Sequence, residues 1–98
     1  MPKSLSERTA DRLYSMIAVE QILLPGEKLP NENILSAELN VSRATLREAI
    51  RALAAQGILT VQRGKGTFVS ESVRAKLIEL TDDLLSANPG ALHKLGNQ

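Results

Sequence analysis

Residues 42–56 constrain the chain most, because they write two different faces onto one helix. Leu46, Ala49, Ile50 and Leu53 fall at i, i+3, i+4 and i+7, the spacing of a buried stripe. Arg43, Arg47 and Arg51 fall at i, i+4 and i+8. At 3.6 residues per turn that row lies roughly 60–140° around the helix from the stripe centre. Such a helix buries one face and leaves an arginine edge in solvent. Ser42 stands as its N-cap and Gly57 as its C-terminal stop.

The neighbouring segments give this helix its context. Ser4-Leu5-Ser6-Glu7 has capping-box spacing and predicts a first helix running to about Leu23. Ala10, Leu13, Met16, Ile17 and Glu20 follow its three- and four-residue repeat, and Pro25-Gly26 ends it. Glu27-Lys28-Leu29 is extended, since Pro30 pushes its predecessor out of the helical region. Asn31 caps a short second helix from Glu32 to Leu39, and Asn40 supplies a left-handed stop. After the third helix, residues 58–62 and Thr67–Val69 flank Arg63-Gly64-Lys65-Gly66 and predict a hairpin. A fourth helix is predicted from Ser72 to about Leu85, with Val73, Leu77, Leu80 and Leu84 on its apolar edge. Ala87-Asn88-Pro89-Gly90 breaks it, and residues 91–98 form a polar tail.

The predicted fold class is therefore mainly α with a small β-hairpin. Two helices joined by a three- or four-residue turn have helix-turn-helix spacing, and the hairpin behind them makes a winged helix-turn-helix. Residues 1–70 form that domain. Residues 71–98 hold the fourth helix and the tail.

Composition removes other classes. The chain has 98 residues and no cysteine, which excludes disulfides, thiolate metal sites and a cysteine nucleophile. One histidine and two aromatics, Tyr14 and Phe68, do not make a stacking platform for single-stranded nucleic acid. No apolar run approaches a membrane span, and the polar N-terminus lacks a signal core, so a cytoplasmic protein is expected. Gly64-Lys65 fails as a P-loop because Gly66 follows the lysine where Ser or Thr is needed. Asn40-Val41-Ser42 matches a glycosylation sequon inside a turn and is discounted. Asp82 and Asp83 point about 100° apart on a helix, and His93 has no partner pattern. No nucleophile, metal or acid–base set remains, so the chain is read as no enzyme and as needing no cofactor.

Charge points toward phosphate. The net charge is only +1, yet residues 42–66 hold Arg43, Arg47, Arg51, Arg63 and Lys65 against Glu48 alone. The DNA major groove, about 12 Å wide, admits one helix whose N-terminal residues meet base edges. Here those residues are Ser42, Arg43, Ala44 and Thr45, followed by Arg47. Arginine pairs with the O6 and N7 of guanine. Ser42 and Thr45 suit phosphate, and Ala44 permits close approach. The wing tip, Arg63, Gly64, Lys65 and Gly66, has the charge and the small residues to lie along a neighbouring minor groove.

The segment PGEKLPNENILSAELNVSRATLREAIRALAAQGILTVQRGKGTFV resembles the DNA-binding domain of GntR-family bacterial transcription regulators. Leu29-Pro30-x-Glu32, the VSRATLREAIRAL helix, Gly57-Ile58-Leu59 and the RGKGTFV wing carry the likeness. It implies operator binding as a dimer, with DNA contacts at Ser42, Arg43, Thr45, Arg47, Arg63, Gly64 and Lys65. It also implies a repressor acting on an inverted repeat. The fourth helix resembles the linker of the FadR-like branch, which leads to an effector-binding, dimerising C-terminal domain. The chain then holds the reader of double-stranded DNA without the sensor of the small-molecule effector. Four positions depart from the family pattern: Asn31 stands where Ser or Thr is common but still caps, Ile34 removes a reciprocal capping box, Asn40 stands for glycine, and Asn33 stands where a DNA-contacting arginine is common.

Two other classes fit part of this pattern. A winged helix can serve as a protein–protein interaction module, but that role needs no arginine edge beside a cationic wing. An RNA reader would need another approach, since a helix cannot enter the narrow major groove of A-form RNA.

Overall fold

The computed structural model describes residues 2–87, with side-chain surroundings through residue 80. Its elements run α1 (Leu5–Ala18), α2 (Glu32–Leu39), α3 (Arg43–Ala55), β1 (Leu59–Gln62), β2 (Gly66–Val69) and α4 (Val73–Ala87). α4 includes Ala87, expected in the break that ends it; residues 88–90, the tail and His93 lie outside the described residues, as do the side chains of Asp82, Asp83 and Leu84.

Local chemistry sets most of the ends. Ser4 caps α1 in a full capping box, with its Oγ accepting from the Glu7 N–H and the Glu7 carboxylate accepting from the Ser4 N–H. Asn31 caps α2 alone: its Oδ1 accepts from the Ile34 N–H at 2.9 Å, and Ile34 has nothing to return. Asn40 ends α2 at φ 56°, ψ 47°, the left-handed conformation. An alanine there carries the steric penalty without the local polar compensation. Asn40→Ala is therefore expected to lower stability by about 1 kcal/mol and Asn40→Gly by less, read from denaturant midpoints.

The first helix is shorter than its periodicity predicts. It ends at Ala18 rather than near Leu23, and Gln21 takes a positive φ of 54°. The N–H groups of Ile22 and Leu23 both turn back to the Met16 carbonyl, at 3.0 and 3.3 Å. This reversal drops Leu23 into the core and leaves Val19, Ile22 and Leu24 exposed. Glu20, expected on the helix, sits beyond it and accepts from Arg12 and Ser15.

One core joins the elements. Leu13, Met16 and Ile17 of α1 meet Leu35 of α2 and Leu46, Ala49 and Leu53 of α3, with Ile58, Leu59, Val69 and Val73 closing the other side. The predicted α3 stripe is buried apart from Ile50, which is partly covered. Val73 is inside, and Leu77 and Leu80 pack against the core, so the start of α4 belongs to the globule. Thr9, unmarked in the sequence, is buried because its hydroxyl donates to the Leu5 carbonyl at 2.8 Å.

β1 and β2 pair antiparallel, Leu59 with Val69 through Gln62 with Gly66. Beyond Leu59 every residue of β1 is exposed, Val61 included. The extended stretch before Pro30 becomes a third rung. Gly26 N–H donates to Val69, Val69 N–H to Glu27 and Leu29 N–H to Thr67, each at 2.8 Å, and Lys28 bridges Phe68.

Candidate nucleic-acid interface

The link from α2 to α3 is three residues, Asn40, Val41 and Ser42. Ser42 is extended at φ −71°, ψ 159°, and its Oγ accepts from the Thr45 N–H at 3.0 Å. The same hydroxyl donates to Thr45 Oγ1 at 2.9 Å. Ser42, Arg43 and Ala44 are exposed, Thr45 is half-covered and Arg47 is exposed. The first turn of α3 is thus free to meet a ligand, while Leu46 and Ala49 behind it are anchored.

The two leading arginines are held in place from the neighbouring helix. Glu32 opens α2, and its carboxylate takes both nitrogens of one Arg47 edge, Nε at 2.9 Å and Nη2 at 2.7 Å. It also pairs with Arg43 Nε at 3.1 Å. Asn33 Oδ1 accepts from Arg43 Nη1 at 3.0 Å. A guanidinium held through some of its N–H groups has less rotamer freedom to lose and keeps the remaining N–H groups for a ligand, which is the preorganisation that base recognition requires. Periodicity does not reveal this network, because Glu32 lies 11 and 15 residues from its partners and on another helix. The only signal was its place in Leu-Pro-x-Glu.

The charge of Glu32 is secure. The hydrogen bond from Arg47, aided by the charges of both arginines, holds its carboxyl below the ordinary value of 4.5. A group whose pKa is lowered by folding contributes above the unfolded value, and its contribution fades as pH falls through the lowered one. The arginine clamp is therefore expected to persist at neutral pH and open only in acid. A carboxyl NMR titration checks this: the Glu32 midpoint should lie below 4.5 and return toward it in Arg47→Ala.

At the wing, Gln62 to Lys65 form a turn closed by Lys65 N–H to the Gln62 carbonyl at 2.9 Å. Gly64 occupies its third position at φ 77°, a type II requirement that glycine meets without strain. Nothing lies within 4 Å of where a Cβ on Gly64 would stand, so this point is open to close approach. Gly66 differs: at φ 128° its face is covered by the Lys28 stem. Arg63, Gly64 and Lys65 are exposed, and Gly66 is partly covered. Arg63 and Lys65 have no ion-pair partner among the described residues.

The fold brings helix and wing to one surface. A groove of about 330 Å³ runs between them, floored by Leu35, Leu46 and Ile50 and rimmed by Lys28, Glu32 and Lys65. Of the nine residues expected at the interface, only Lys65 and Gly66 line this groove. Ser42 caps α3, Arg43, Ala44, Thr45 and Arg47 stand on it, and Arg63, Gly64, Lys65 and Gly66 stand on the wing.

This order of helix-turn-helix and wing can be compared with known proteins. The model of the family described as bacterial regulatory proteins, gntR family, matches residues 5–69. The chain belongs to that family. Among relatives of the GntR chain, the mannosyl-D-glycerate transport/metabolism system repressor MngR of Escherichia coli is 42% identical over 87 residues. That match covers 86% of this chain and 36% of MngR, so the chain spans about a third of that relative. A solved Streptococcus agalactiae GntR is 47% identical, with a TM-score of 0.64 over 69% of this chain and 33% of its own. The DNA-binding domain of AraR, solved in complex with operator ORR3, is 36% identical with a TM-score of 0.64. It covers 71% of this chain, which covers 83% of it. The winged helix-turn-helix is shared, and the family is one of transcriptional regulators rather than enzymes. No helix among the described residues is long and apolar enough to cross a membrane.

Proposed function

We propose that this GntR-family domain reads operator DNA for a ligand-responsive repressor, acting in the cytoplasm as a dimer on an inverted repeat. One observation carries the reading: Arg43 and Arg47 are preorganised by Glu32 on the exposed first turns of α3, beside a wing with unpaired cations. The clamp makes sense for base recognition. Side chains fixed before binding lose less rotamer freedom on binding, and the remaining guanidinium N–H groups suit guanine. The unpaired cations Arg63 and Lys65 suit phosphate, where position matters less than charge.

The AraR domain in its operator complex supports the DNA partner, and MngR, a repressor, supports the direction of regulation. A dimer fits this reading, since one short helix reads few base pairs and two readers double the site. A small-molecule effector would act from outside residues 1–70, by altering the spacing between two readers.

Selection from a randomised duplex pool at about 0.1 M salt tests the reading, because lower salt lets phosphate attraction mask preference. Enrichment of a short inverted repeat is expected, on the chain itself or on two copies tethered together. No enrichment in either form would overturn the assignment as a sequence reader.

A further inference from the structure

We propose that Lys28 is a phosphate-binding residue of the DNA interface, its stem seated over the open face of Gly66. This rests on the reading of the domain as a DNA reader and adds an anchor outside the basic window of residues 42–66. Lys28 stands on the third rung of the wing, where its backbone bridges Phe68 and the following Leu29 is buried. Its stem crosses the open face of Gly66. A Cβ built there would stand 2.7 Å from Lys28 Cε and 3.5 Å from Nζ. Real Cβ atoms do not approach that closely, so a side chain at Gly66 would displace the lysine.

The ammonium is thereby carried to the rim of the groove that Lys65 also lines. Lys28 is exposed and has no ion-pair partner among the described residues. The carboxylate in the same groove, Glu32, is already engaged by Arg43 and Arg47. A strand of DNA backbone running between recognition helix and wing meets two lysines there, Lys65 from the tip turn and Lys28 from the third rung. A compact charge on a flexible stem fits a phosphate better than a base edge. The competing role, a lysine that only guards a sheet edge against pairing, predicts no effect on DNA.

Lys28→Met separates the two, because it keeps the stem over Gly66 and removes the charge. Binding of wild type and variant to the selected duplex is measured from low to high salt. The slope of log affinity against log salt is expected to shrink by about 0.9, one phosphate contact, with equal losses on all duplexes and an unchanged melting temperature. Gly66→Ala should reduce the slope by the same amount in the wild type and not further in Lys28→Met, whatever strain it adds to both.

An unchanged slope in Lys28→Met overturns the proposal while leaving the DNA reading intact. A loss confined to one base pair overturns the phosphate assignment, and equal slope changes from Gly66→Ala in both backgrounds overturn the seating. A wild-type domain without salt-dependent duplex binding overturns the proposed function and Lys28 with it.

Discussion

Arg43→Ala is expected to weaken binding to the selected operator by about 1–3 kcal/mol, a loss of roughly 5- to 150-fold, and to flatten preference at one base position. The selectivity of that loss is the informative part. Arg43 is tied to both Glu32 and Asn33, so its guanidinium has one direction to offer. Arg47 keeps its two-point contact with Glu32 when Arg43 is gone, so preference at a second base position should survive. Competition among single-base operator variants measures both. A uniform loss across all sequences would assign Arg43 to phosphate and remove it as a reader.

Leu13→Ala is expected to destabilise the domain by about 2–5 kcal/mol, the range for emptying a fully buried leucine site. Leu13 has no solvent exposure and belongs to the core that fastens α1 to α3. Small domains hold roughly 5–15 kcal/mol in all, and each kcal/mol moves the thermal midpoint by about 4–8 °C at this size. The variant should melt far below the wild type with a similar denaturant slope. Operator at a hundred times its dissociation constant should then restore about 2.7 kcal/mol to both proteins, because binding acts on the folded form alone. Restoration in the wild type only would mean that Leu13 also shapes the DNA-facing surface.

What the sequence could reveal was whatever is written within a few residues. Ser42, Asn31 and Asn40 cap through their own neighbours, and their hydrogen bonds or left-handed dihedrals are where the reading placed them. The α3 stripe was equally legible, because one helix face records its own burial. Features that depend on distant segments were not. The end of α1 was misplaced because Ile22 and Leu23 continue an apolar repeat while their N–H groups reverse onto Met16. Val61 is an apolar residue of a strand, yet it is exposed, which its own neighbours do not reveal. In the candidate site, the arginines and wing cations announced themselves by charge. Glu32 did not, since a lone carboxylate at a helix start reads first as a favourable partner of the helix dipole.

The third rung of the wing has a consequence for anyone who would re-engineer this reader. Residues 26–29 are hydrogen-bonded to β2, and only Pro30 and Asn31 separate them from Glu32, which sets the arginines. Recognition helix and wing are therefore not interchangeable modules. A chimera cut between α3 and β1 would join a foreign wing to a native rung and shift the clamp along with it. Specificity should transplant as a single cassette from Gly26 to Val69, and fail to transplant in smaller pieces.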